Sequence, residues 1–287
     1  MKLMKARIST TKVDLHNECM DLSALECMVE QANKDYIPVG IEHDPRHAPG
    51  GRIRKAWLEE LGVGDYGVMA EIEYFESGDS IPFEDSGRRM PIHEYRDGKI
   101  HLEVDRSYDN EPARQVISEL KHSVDLVLEY EDKKAIEPIS ILGIGIGAFL
   151  LGEIASGFLN KIGSDAWDLL KRHLGRLLEA RKVPSSGYLV SLRFTVDVED
   201  HPVEIQVLLE SADIRDVATF FERELPQLDA LARKYVTVRP RVRALVVDRT
   251  AKGLAVRYAI REDAVPLFPV ERLSSESRRG DGRIPRC

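Results

Sequence analysis

Apolar and polar positions alternate along this chain with periods that change from stretch to stretch. Residues 6–13 can extend, and Leu22, Leu25, Met28, Val29 and Ala32 recur at the spacing of one helix face. Residues 36–42 read as a short strand, stopped by Pro45, Pro49 and the Gly50-Gly51 turn. Two longer strands, 52–61 and 67–75, flank Gly62-Val63-Gly64-Asp65, which is a hairpin signal. Residues 78–89 are polar and turn-rich, as in a surface loop. A strand at 99–105 then leads to a helix at 111–120, with Pro112 in its first turn, where a missing N–H costs nothing. Residues 124–130 close this part as a strand.

At residue 139 the pattern changes. Residues 139–159 hold a single charge, Glu153, and the spacing predicts a helix of the length that crosses a hydrocarbon layer, for which about 20 residues are needed. Gly143, Gly147 and Gly152 would let a second helix approach closely, and Glu153 calls for a polar partner on that face. Such a segment is expected between domains or subunits, or in contact with a bilayer. Basic residues cluster after it (Lys161, Lys171, Arg172, Arg176), so a permanent span would export the N-terminal half. An amphipathic helix at 164–181 follows, with Trp167, Leu170, Leu174, Leu177 and Leu178 on one face.

Beyond the Val183-Pro184-Ser185-Ser186-Gly187 break, every second residue of 188–198 is apolar, and so are Val203, Ile205, Val207 and Leu209. A helix at 214–235, with a bend expected at Pro226, separates these strands from two more at 241–249 and 253–261. The pattern is ββαββ, a sheet with a helix on one face. The whole is an α+β protein in four parts. They are an antiparallel-rich domain at 1–135, a hydrophobic and amphipathic helical segment at 136–183, the ββαββ domain at 184–273, and an arginine-rich disordered tail at 274–287.

Length and charge narrow the function. A chain of 287 residues can bury a core without staples, and its net charge of −8 argues against a general nucleic-acid binder. Cys19, Cys27 and Cys287 form no framework and no CxxC pair, and no apolar run follows the first residues. Both point to the cytoplasm, at the inner face of a membrane if at one at all. Gly143-Ile144-Gly145-Ile146-Gly147 mimics a dinucleotide fingerprint, yet no strand about 20 residues on carries the acidic ribose ligand, so no cofactor is expected. His43 and His47 have the spacing of metal ligands on a helix, but Pro45 and Pro49 forbid a helix there, and no metal is expected either.

The most specific local feature is Ile37-Pro38-Val39-Gly40-Ile41-Glu42-His43-Asp44-Pro45, followed by Gly51-Arg52-Ile53 and the strand ending Met69-Ala70-Glu71-Ile72-Glu73-Tyr74-Phe75. Over residues 8–130 this resembles the prohead (capsid-maturation) protease family of tailed phages. The resemblance implies a histidine general base at His43 and a serine delivered after a short helix. Ser123 stands there, with Ser140 as the alternative and Ser107 as a third choice. Two functions are therefore expected. The first is a non-catalytic interaction or membrane-acting protein that binds itself or another protein, through its glycine-rich segment and its C-terminal domain. The alternative is a serine protease that cleaves a protein partner.

Overall fold

The computed structural model describes residues 2–13, 19–41, 44–76, 81–123, 125–130, 140–154, 156–157, 164–181, 188–198, 201–238 and 241–269. The protein is α+β and rich in antiparallel strands. The first sheet has the order β1-β4-β3-β2, from β1 (Lys2–Thr10), β2 (Pro38–Val39), β3 (Gly51–Gly62) and β4 (Asp65–Tyr74), all antiparallel. The expected hairpin is the β3–β4 pair. Its turn carries Gly64 at φ 80°, a left-handed conformation that glycine adopts without steric cost. Helix α1 (Leu22–Lys34) covers one face of this sheet, where Leu25 and Ala32 meet Ile53, Ala56, Val68, Ala70 and Ile72. Asp21 caps the helix by accepting from the Ala24 amide at 2.7 Å.

The second sheet has eight strands in the order β12-β11-β10-β9-β8-β7-β5-β6. They are β5 (Ile100–Val104), β6 (Leu126–Tyr130), β7 (Ser140–Leu150), β8 (Tyr188–Val198), β9 (His201–Glu210), β10 (Val242–Thr250), β11 (Gly253–Arg261) and β12 (Pro266–Leu267). Three parallel pairs, β5–β6, β7–β8 and β9–β10, are each joined through a helix. The connectors are α2 (Glu111–Ser123), α3 (Ser164–Ala180) and the run α4 (Ile214–Thr219) to α5 (Leu225–Val238). Between α4 and α5 lies a π turn, Phe220–Glu224, in which the Leu225 amide bonds to the Phe220 carbonyl. This widened turn ends two residues before Pro226, where the bend was expected, and wide turns of this kind mark such irregularities. The helices share one core with alternate residues of the strands, including Leu102, Leu142, Ile144, Val190, Leu192, Phe194, Ile205 and Val207. Trp167 of α3 packs edge-on against Phe221 at 4.8 Å between ring centres.

Two expectations are corrected here. Residues 140–150 are not a helix but β7, a strand inside the large sheet, and residues 140–147 are all buried. Leu142, Ile144 and Ile146 face the helical core, so protein covers residues 140–147, while Leu150 is 57% exposed. No described helix is long and apolar enough to cross a membrane. The expected boundary near residue 135 falls between β6 and β7 of one sheet, because β5 and β6 extend the sheet that β8–β11 build. The ββαββ order of the C-terminal part is as expected; β9 and β10 within it are parallel. Residues 274–287 lie outside the described residues.

Charged anchors tie the first sheet to the turn after β11 of the second. The Arg52 side chain is 2% exposed and lies between three carboxylates. Its Nε is 2.6 Å from Glu73, one Nη 2.7 Å from Glu84, and the other donates to the Asp263 carbonyl at 2.7 Å. Asp263, fully buried, also holds Arg261. Gly51 beside it is required by contact, since a Cβ there would lie 2.6 Å from the Glu73 carbonyl oxygen. Nearby, the Tyr258 hydroxyl donates to the Pro45 carbonyl at 2.8 Å, and Arg257 donates to that of Arg46 at 2.6 Å.

Candidate functional site

Alternate residues of β7 that face away from the helical core are Gly143 and Gly145. Both are crowded from above: a Cβ at Gly143 would meet Glu103 at 2.8 Å, and one at Gly145 would meet the Tyr95 ring at 2.2 Å. The missing side chains leave a recess over the sheet, filled by a polar cluster from three directions. Glu103 of β5 sits opposite Gly143, and Arg193 of β8 sits opposite Gly145. Tyr95 enters from residues 91–98, a strap laid across this face.

The strap is fixed at several points. His93 N–H donates to Glu204 at 3.2 Å and Tyr95 N–H to the Thr195 hydroxyl at 3.1 Å. The Thr195 hydroxyl in turn donates to the His93 carbonyl at 3.0 Å, and Arg96 pairs with Asp197. Inside the recess the Arg193 guanidinium is 2.6 Å from one Glu103 oxygen and 2.8 Å from the other, which also accepts from the Tyr95 hydroxyl at 3.3 Å. Burial disfavours the Arg193 cation, but Glu103 and Glu204 more than offset this and hold its pKa above the ordinary value. Burial also pushes the Tyr95 phenol up, so it stays a neutral donor.

At the rim of this recess lie two histidines and a second glutamate. Glu129 of β6 is the cross-strand neighbour of Glu103. His101, two residues before Glu103 and so on the same face of β5, has Nε2 at 3.0 Å from Asp97 and Nδ1 at 3.7 Å from Glu129. The His101 contact holds the Asp97 carboxyl below its usual pKa. One ligand atom each from His93, Glu103 and Glu129 lies within 4.8 Å of the others. The members of this group come from the strap and two strands, and no helical or CxxC spacing links them, so the sequence pattern does not reveal it.

The residues expected from sequence to be functional go elsewhere. His43 lies outside the described residues. Ser123 is the last residue of α2, exposed, and its hydroxyl donates to the Glu119 carbonyl of its own helix at 2.7 Å. Ser140 is buried, 2.5 Å from the Ser107 hydroxyl, beside Asp105, which accepts from the amides of Ser107 and Ile141. That arrangement ties the start of β7 to the turn after β5. Among the described residues no histidine ring bonds to Ser107, Ser123 or Ser140. Gly147 takes φ 138° where the β7 register shifts, and Gly152 takes φ 92° in the turn after the strand, with Arg233 against it. The Glu153 amide closes that turn on the Leu150 carbonyl. These glycines serve a bulge and a turn, and not helix–helix approach.

One further surface is set by the first sheet. β1 forms its edge, pairs only with β4 among the described residues, and leaves Leu3 61%, Met4 44% and Ile8 36% exposed. A nine-residue edge strand with unpaired amides and carbonyls is a template for another strand. Comparison of the chain with family models, with curated proteins and with solved structures finds no match.

Proposed function

We propose that this protein acts by binding another polypeptide and not by catalysis, and that β1 is the surface it offers. The observation that carries this reading is the edge of the first sheet, where three large apolar side chains stand in solvent on a strand that, among the described residues, is paired on one side. An extended segment added there would gain main-chain hydrogen bonds along the strand and cover Leu3 and Met4, which is the chemistry of strand addition. The described serines support the non-catalytic half of the reading. Ser123 bonds to its own helix, and Ser140 is buried beside Ser107. The second sheet then serves as the rigid body on which the edge is presented.

The test is a selection of displayed extended peptides on the immobilised protein, repeated on a Leu3→Lys/Met4→Lys variant. Both side chains are solvent-exposed, so the variant should retain the parent's unfolding midpoint. Peptides that bind the parent, slow hydrogen exchange in residues 2–10 and lose the variant support the proposal. Peptides that bind both proteins equally, or no enrichment above an unrelated protein, would refute it.

A further inference from the structure

We infer that the group around Glu103 is a site for one divalent transition-metal ion, bound by His93, Glu103 and Glu129 with His101 beside them. The donor atoms of the first three lie within 4.8 Å of one another. Ligands at about 2.0–2.2 Å from a zinc-like ion stand some 3–4 Å apart, so the site closes with small side-chain rotations. Glu129 and His93 are exposed and held only by long contacts, Glu129 to His101 at 3.7 Å and His93 to Glu204 at 4.0 Å, which such a rotation exchanges for the ion.

Three features beyond the distances favour a cation. Glu103 and Glu129 face each other across neighbouring parallel strands, an arrangement that like charges destabilise unless a cation lies between them. Arg193 neutralises Glu103 from the β8 side, and on the β6 side Glu129 has the His101 ring beside it at 3.7 Å. The site also supplies imidazole nitrogen as well as carboxylate oxygen, a mixed set that suits zinc, manganese or iron(II) better than calcium or magnesium.

The surroundings have the form of an outer shell. Asp97 holds His101 through Nε2, which turns Nδ1 toward Glu129, so His101 positions that carboxylate from outside the ligand group. Glu103 is braced by Arg193 and the Tyr95 hydroxyl, so its carboxylate cannot swing away. His93 is placed by its own main chain, whose amide and carbonyl are fastened to Glu204 and Thr195. An ion here would stitch the strap to the edge of the eight-stranded sheet, because its ligands come from 91–98, β5 and β6. That role differs from the strand addition proposed at β1, and neither depends on the other.

The experiment titrates chelator-treated protein with cobalt(II), read by its visible absorption, and with zinc, read by calorimetry. The parent is compared with His93→Ala and Glu129→Gln, two exposed positions whose change leaves the core intact, and with His47→Ala, an exposed histidine outside the group. One equivalent per chain in the parent and in His47→Ala is expected, with affinity reduced tenfold or more in the other two. Zinc should also raise the melting temperature of the parent and not that of Glu129→Gln. Absence of saturable binding to the parent, or equal affinity in all four proteins, would overturn the assignment.

Discussion

Replacing Arg52 with methionine isolates the main electrostatic anchor between the two sheets. Methionine fills similar space but leaves Glu73, 8% exposed, and the fully buried Asp263 without a cation they now share. Breaking a buried pair by removing one partner costs about 3–5 kcal/mol. Two neighbours soften the loss here: Arg54 stays 3.7 Å from Glu73, and Arg261 keeps its bonds to Asp263. The expected destabilisation is therefore near the lower bound, about 3 kcal/mol, which at a urea m-value of about 2–3 kcal/mol/M moves the midpoint by about 1 M. Arg52→Lys should fall between, because one ammonium cannot bridge three acceptors as a guanidinium fork does. The double variant Arg52→Met/Glu73→Gln should regain part of the loss, with a coupling of about 0.5–3 kcal/mol, since the orphaned carboxylate is gone. Urea unfolding followed by tryptophan fluorescence reports these differences. A cost below about 1 kcal/mol for Arg52→Met, or strict additivity in the double variant, would refute the account of this network as an anchor.

Gly145→Ala should destabilise by about 1–3 kcal/mol because its Cβ meets the Tyr95 ring at 2.2 Å, and Tyr95→Ala in the same chain should remove most of that penalty when thermal midpoints are compared. Leu174→Ala in α3, 1% exposed in the helical core, should cost about 2–5 kcal/mol by urea unfolding. Burial pushes the Glu84 carboxyl up, but bonds from Arg54 and Tyr36 outweigh it and hold its pKa below the ordinary value. Asp44 is likewise held down by Arg46 against burial. Between the depressed folded values and their ordinary pKa, about 4, the unfolded chain binds more protons than the folded one. This stability is present at neutral pH and is lost as pH falls through the depressed folded values, and Glu84→Gln should flatten that slope in midpoints measured from pH 6 to pH 3.

The sequence by itself determined several elements whose two faces differ. The alternation in 188–198 and 203–209, the amphipathic 164–181 helix and the Gly62–Asp65 hairpin were legible because one side of each meets solvent or a polar layer, and the period shows. β7 was misread for the same reason inverted. Its Ile144-Gly145-Ile146 pattern is a period of two, but the second face is marked by glycine and not by a polar residue, so the run reads as uniformly apolar. Only the tertiary structure supplies the reason: Glu103 and Tyr95 occupy the space that those side chains would need. The same holds for the division of the chain. Local pattern cannot reveal that β5 and β6 join strands from the C-terminal half, because sheet pairing is a contact between residues far apart in sequence. Arg52 and Glu103 read as ordinary charges until the fold removes water around them and brings each its opposite charge, and that is a property of packing, which no spacing records.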